Sequence, residues 1–194
     1  MISILLDSSD KYLAVGIAKD GKLIDSIQYE AWQRQSEMMI TELEAILKKN
    51  NITRFDISNV VCGIGPGSYT GVRISLTIAK VMVMALNIPL FTVSSLHILK
   101  DGMLPSICVI NARSGRSYVG VYENEKVILK DQIMKNDELL SYINEHSNYA
   151  ICGDVNHLGI DGKIVNVLEQ MTMLLPHLKE ETNHLGVTPV YMKD

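Results

Sequence analysis

The 194 residues carry a formal net charge of −4, with 18 Lys and Arg against 22 Asp and Glu. A chain that is 47% hydrophobic and 21% charged has the apolar mass for one domain or two small lobes, which excludes a disordered polypeptide. Its cations are spread thinly rather than gathered in a stripe, which excludes a protein that grips nucleic acid alone by displacing counterions.

Met1-Ile2-Ser3-Ile4-Leu5-Leu6 has no basic flank and runs straight into Asp7, so no signal peptide is expected. No apolar run reads as a membrane span, and a cytoplasmic location follows as the expectation. Cys62, Cys108 and Cys152 each sit in an apolar stretch without a metal-type partner, as reduced, buried thiols do.

In chain order, Ile2 to Asp7 reads as a buried strand and Tyr12 to Ala18 as a second. Lys19-Asp20-Gly21-Lys22 is a hairpin turn, and Leu23 to Tyr29 returns as a third strand. Ser36 is expected to cap a helix reaching Lys49, with Met39, Leu43, Ile46 and Leu47 on one face. A strand from Asn59 to Ile64 leads into a glycine-rich loop, then a helix from Gly71 to Asn87 capped by Ser68 or Thr70. Ile88 to Val93 closes this half as a strand, and Ser94 or Ser95 caps a short helix to Gly102.

The second half repeats the first. An offset of 104 places Asp7 on Asn111, Val15 on Val119, Gly16 on Gly120 and Ile24 on Ile128 without a gap. Asp137 to His146 then matches the first helix, and Ile151-Cys152-Gly153 echoes Val61-Cys62-Gly63. Two β-β-β-α-β units imply an α/β protein of two similar lobes, residues 1–102 and 103–194, with the second trimmed. Beyond Gly153 the pattern is weaker: a strand at Lys163 to Val167, and a helix from Leu168 to Leu178 interrupted near Pro176.

The segment Gly63-Ile64-Gly65-Pro66-Gly67-Ser68-Tyr69-Thr70-Gly71-Val72-Arg73 stands out. Its glycines permit close backbone approach, and amides at the following helix start form an anion seat with Arg73 nearby. It lacks both the Gly-Lys-Ser/Thr ending of a P-loop and the G-x-G-x-x-G spacing, so tight helix–strand packing competes with phosphate binding. Gly65 to Arg73 resembles the G-P-G-S-[FY]-T-G-[VL]-R signature of the TsaB (YeaZ) family. The likeness recurs at Asp7-Ser8-Ser9, at Asn111-Ala112-Arg113-Ser114-Gly115 and at Pro189-Val190-Tyr191.

The resemblance implies an actin-like (ASKHA) fold with two lobes facing across a cleft. It also implies a non-catalytic partner of a TsaD-type enzyme in threonylcarbamoyl-adenosine synthesis on tRNA. A TsaE-type ATPase and a TsaC-type synthase complete such a system, and the isolated protein is expected to be a homodimer that does not bind tRNA by itself. Asp7, Ser8, Ser9, Gly65, Gly67 and Ser68 are then vestigial anion or nucleotide contacts. Against catalysis stands Asn111, an amide where a second carboxylate would help hold Mg²⁺. Asp7 has a plainer use in bonding turn amides. His97, His146, His157, His177 and His184 include no pair one helical turn apart, so neither metal nor cofactor is expected. Arg113 and Arg116 read as solvated, Tyr118 and Tyr122 as strand packing. A small ATPase or kinase using the cleft, and a peptidase, are the rival classes.

The helix after the glycine loop is apolar almost all round except for Arg73, Thr77 and Lys80, which is more than one sheet can cover. Ser75, Ile78, Ala79, Met82 and Leu86 are expected to face the sheet. Ile74, Val81 and Ala85 form one flank, Leu76 and Val83 the other. Six of the ten methionines lie in the first-lobe helices and the C-terminal one, and methionine adapts to exchangeable partners. The expected docking face is Met38, Met39, Arg73, Ile74, Leu76, Thr77, Lys80, Val81, Val83 and Met84.

Overall fold

In the computed structural model, which describes residues 1–31, 34–102, 104–124 and 126–192, strand β1 (Ile2–Asp7) pairs antiparallel with β2 (Tyr12–Lys19), and β2 with β3 (Lys22–Glu30). Asp20 and Gly21 both sit at positive φ, 51° and 76°, as a two-residue type I′ hairpin requires. Helix α1 (Gln35–Lys49) crosses one face, and β4 (Ile57–Gly63) returns parallel to β1. Helix α2 (Tyr69–Leu86) crosses the same face and delivers β5 (Leu90–Val93), parallel to β4. The sheet order is β3-β2-β1-β4-β5.

The pattern then restarts with β6 (Ser106–Arg113), β7 (Arg116–Glu123), β8 (Lys126–Lys135), α3 (Asn136–Glu145) and β9 (Ala150–Gly153). Their order, β8-β7-β6-β9, repeats the first sheet without its last helix and strand. This is the two-unit α/β arrangement that the duplication implies, with the second unit trimmed.

The repeat contains a slip that gapless matching hides. Leu5 lies between Gly16 and Val61, and Cys108 lies between Gly120 and Cys152. The second strands therefore correspond at the offset of 104, but the first strands at 103. The counterpart of Asp7 is Ile110, paired to Tyr118 as Asp7 is to Ala14, and not Asn111. The turn lengths explain it. Four residues separate β1 from β2, whereas only Ser114 and Gly115 separate β6 from β7, after a bulge at Asn111/Arg113.

Three apolar layers follow from strand alternation. Ile4, Leu6, Val15 and Ile17 pack beneath α1 and α2, and Val109, Val119 and Val121 beneath α3. The opposite faces, with Leu5, Ala14, Val61, Cys108 and Ile110, meet in a central layer. Helix α4 (Val167–Leu174) fills that layer with Leu168 and Met171.

Several expectations need correction. Helix α1 starts at Gln35, and its N-cap is Arg34 without a side-chain bond, so Ser36 is not the cap. The helix expected to reach Gly102 is one 3-10 turn, His97–Leu99, above which Ser94 Oγ accepts from the amides of Leu96 and His97. Lys163 to Val167 contributes a single bridge, Cys152 to Lys163, rather than a strand. Nor does the tail stay with the second unit: α4 packs on β1, β2 and β3, and Glu181 N donates to Leu90 O on β5. Met103, at the expected division, lies outside the described residues. Helix α2, at 18 residues, is long and apolar enough to cross a membrane by length and composition. Here it is a packed layer, burying Val72, Ser75, Leu76, Ala79 and Val83.

Candidate functional site

The turn after β1 and the loop after β4 interlock. Ser68 N donates to Ser9 O at 2.6 Å, and Ser8 Oγ donates to Gly71 O at 2.7 Å. A Cβ on Gly71 would overlap the Ser8 carbonyl, and one on Gly67 the Ser9 carbonyl. Gly65, at φ +99°, lets its backbone pass Val190 O, which would sit 2.8 Å from a Cβ. The glycines thus serve close packing first. Ser68, not Thr70, is the N-cap of α2 and accepts from Gly71 N at 3.2 Å. The Ser68 and Gly71 amides of the expected anion seat are therefore engaged within the protein.

Asp7 lies beneath this junction. Its Oδ2 accepts from Ser9 N (3.2 Å) and Ser9 Oγ (3.0 Å). Its Oδ1 is buried over Gly63 with no hydrogen-bond partner. Burial therefore raises its pKa to about 7, against the two bonds from Ser9. The turn thus holds Asp7 through one of its two carboxyl oxygens.

Beside the junction, a cleft of about 410 Å³ separates the two units, lined by Ser68, Tyr69 and Thr70 on one side and Asn111, Arg113 and Tyr118 on the other. Asp10 and Asp154 also line it. Burial raises the Asp10 pKa, and the nearby Asp154 carboxylate adds to the effect. Gly67 and Ser68 reach this cleft among the expected vestigial contacts; Asp7, Ser8, Ser9 and Gly65 do not line it. Asn111 instead accepts from Arg113 N at 2.8 Å, bracing its own turn.

Among the described residues no group of three or more His, Cys, Asp or Glu could hold a metal ion. His97 stacks flat on Tyr122 with centroids 4.1 Å apart, and burial lowers its pKa to about 4. His157 Nε2 lies 2.7 Å from Ser117 Oγ, but that hydroxyl is fully buried and donates to Asn136, so it is no nucleophile. Burial pushes all three cysteine thiols up, which leaves them inert.

The outer surface of the first unit is different in kind. On α1 and α2, Ile40, Val81 and Met84 are 58%, 62% and 56% exposed. A groove of about 430 Å³ runs between Ile40, Ile74, Ile78 and Thr77, rimmed by Tyr69 and Arg73. Of the expected docking face, Met39, Leu76 and Val83 are core residues, with Val83 only 1% exposed. The sheet sees α2 through Val72, Leu76, Ala79 and Val83, so the wheel orientation was rotated, and Ile78, Met82 and Leu86 are only partly buried. Arg73 and Lys80 do not project freely either. Arg73 Nε donates to Tyr191 OH at 2.6 Å, and Lys80 Nζ donates to Leu185 O at 3.0 Å.

Comparison with known proteins places the chain. The model of the TsaD family, tRNA N6-adenosine threonylcarbamoyltransferase, matches residues 29–167. The chain belongs to this family, on its TsaB/YeaZ branch. It is 29% identical over 147 residues to the tRNA threonylcarbamoyladenosine biosynthesis protein TsaB of Bacillus subtilis, a match covering 73% of this chain and 63% of that protein. For TsaB of Escherichia coli the identity is 27% over 128 residues, covering 62% of this chain and 54% of that one. These matches thus span less than two thirds of the curated relatives' own length. YeaZ from Pseudomonas aeruginosa superposes with a TM-score of 0.83 at 18% identity, covering 98% of this chain and 99% of that one, which establishes the TsaB/YeaZ fold.

Sequence reasoning missed Asp10 and Asp154, which carry no motif and meet only across the two units. It missed Ile40 as well, though its place one turn beyond Ser36 on the polar side of α1 was a usable signal. Tyr191 had its signal in the Pro189-Val190-Tyr191 likeness, whose physical purpose is the contact with Arg73.

Proposed function

We propose that the chain is a non-catalytic subunit that docks onto a TsaD-type enzyme and supports threonylcarbamoyl transfer to adenosine in tRNA. The carrying observation is the apolar outer face of α1 and α2, where Ile40, Val81 and Met84 stand in water beside the Ile74 groove. Contiguous exposed apolar surface of this kind marks an interaction site, and a stable one covers roughly 800 Å² per partner. A TsaD-type occupant is favoured because this chain matches that enzyme's own family model. The helix pair α1 and α2 offers such a partner ridges and grooves into which helices can pack.

The docking residues of this reading are Met38, Ile74, Thr77, Val81 and Met84, joined by Ile40. In isolation the same face pairs two copies of the chain, and a TsaE-type ATPase joins the assembled complex. The reading carries no cofactor, no membrane and no direct hold on tRNA, and places the work in the cytoplasm. It divides the chain into lobes at 102/103, with residues 167–191 serving the first lobe by their contacts. Val81→Glu tests it: the variant should fold, remain monomeric by light scattering and fail to co-purify with a tagged TsaD-type enzyme. Normal capture of that variant would remove the docking face.

A second reading, an ATPase using the cleft, draws on the Asp10 and Asp154 carboxylates beside Ser68 and Thr70. Magnesium-dependent ATP hydrolysis by the pure chain, lost in Asp10→Asn, would establish it in place of the first.

A further inference from the structure

Residues 184–191 lie along α2, held there by the polar stripe of that helix. Lys80 Nζ donates to the carbonyls of Leu185 and Val187, and Arg73 Nε to Tyr191 OH. Val190 N donates to Ile64 O at 2.7 Å, seating the same segment on the glycine loop. The segment is thus pinned at one end by backbone and along its length by two cations. Outward it presents Leu185, Val190 and Tyr191, all exposed. The Tyr191 ring stacks on Tyr69 with centroids 5.1 Å apart, and the Arg73 guanidinium lies 3.8 Å above Tyr69. Tyr69 and Arg73 are also the rim of the groove that contains Ile40 and Ile74, so segment and groove form one continuous surface.

We propose that residues 184–191 are a strap that completes the docking face, so that a TsaD-type partner meets α2 and the strap together. The proposal rests on the docking reading above. Its physical basis is charge. Without the strap, a partner closing over α2 would have to desolvate Lys80 without its two carbonyls and Arg73 with only the Tyr69 ring beside it, which is costly. With the strap seated, two carbonyls take the ammonium, and the Tyr191 hydroxyl with the Tyr69 ring takes the guanidinium. The face can then be covered while its cations keep their partners. Seating of Tyr191 also fixes Tyr69 and Arg73, the two side chains at the groove mouth.

Titrating the TsaD-type enzyme with wild type, Tyr191→Ala, Tyr191→Phe and Val81→Glu tests this. Tyr191→Ala keeps its circular dichroism and weakens binding by about tenfold or more, as loss of an interface aromatic does. Tyr191→Phe keeps the ring stack but loses the bond from Arg73, and weakens binding less. Val81→Glu abolishes it. Wild-type affinity in Tyr191→Ala, with Val81→Glu inactive, would overturn the strap and leave the docking reading standing. Wild-type affinity in Val81→Glu would overturn both. Hydrogen exchange on the unaltered protein is independent of any variant's folding: amides of 187–191 should slow in the complex, and unchanged exchange there overturns the strap.

Discussion

The two strand–turn–strand junctions hold corresponding places in the two units but are opposite in kind. In the first, Ser8 and Ser9 are buried and bonded into the glycine loop, and Asp7 is sealed beneath them. In the second, Arg113 and Ser114 stand exposed at positive φ, and Asn111 accepts from Arg113 N in its own turn. What separates them is helix α2, which the second unit lacks. A helix that starts directly over a turn demands glycines and consumes the turn's polar groups. A turn with nothing above it keeps short, solvated contacts. The first junction has therefore been spent on packing, and the chain's free surface lies on the far side of α2.

The sharpest break of this comparison is a single methyl group in each junction. Gly71→Ala drives its Cβ into the Ser8 carbonyl, which belongs to buried backbone and cannot rotate aside. Its cost should exceed the ~1–3 kcal/mol usual for overpacking, and little folded protein should be recovered. Gly115→Ala meets no atom within 4 Å and pays only for its φ of +73°, about 1 kcal/mol by urea denaturation. Comparable midpoints for the two variants would erase the distinction between the junctions.

Titration is the next test. The folded pKa of Asp7 is raised to about 7 from 3.8, so the folded state holds the proton where the unfolded chain has released it. Stability then falls as pH rises through that window, by up to about 1.4 kcal/mol per unit, and levels off above it. Asp7→Asn should abolish this fall and be the more stable form at pH 8, measured as urea midpoints across pH. A wild type whose stability follows the variant's in parallel from pH 4 to 7 would show Asp7 ionised in the folded state across that range. No such slope arises at Ile110, its counterpart in the second unit.

The smallest contrast is between two side-chain hydrogen bonds. Ser8→Ala removes a buried second bond to the Gly71 carbonyl and should cost about 1–1.5 kcal/mol. Asn111→Ala removes a bond at the exposed turn and should cost under about 1 kcal/mol, since water replaces it. Equal losses would mean that the second turn is as constrained as the first.

The amino-acid order by itself determined the strand and helix sequence of both units and the hairpin at Asp20-Gly21. It also determined the place of the glycine loop, because alternation, helical spacing and turn residues are local signals. The loop's family signature was legible for the same reason: each glycine answers a close approach that no other residue permits. Three things were decided only by tertiary structure. The slip that puts Ile110 opposite Asp7 depends on turn length and a bulge, and a one-residue offset leaves an apolar strand looking unchanged. The inward side of α2 could not be read from a helix apolar on nearly every side; the sheet chose Leu76 and Val83 and left Val81 in water. The strap from 184 to 191 has no periodicity, and its grip on Lys80 is made through carbonyls, which every residue possesses and no sequence pattern marks.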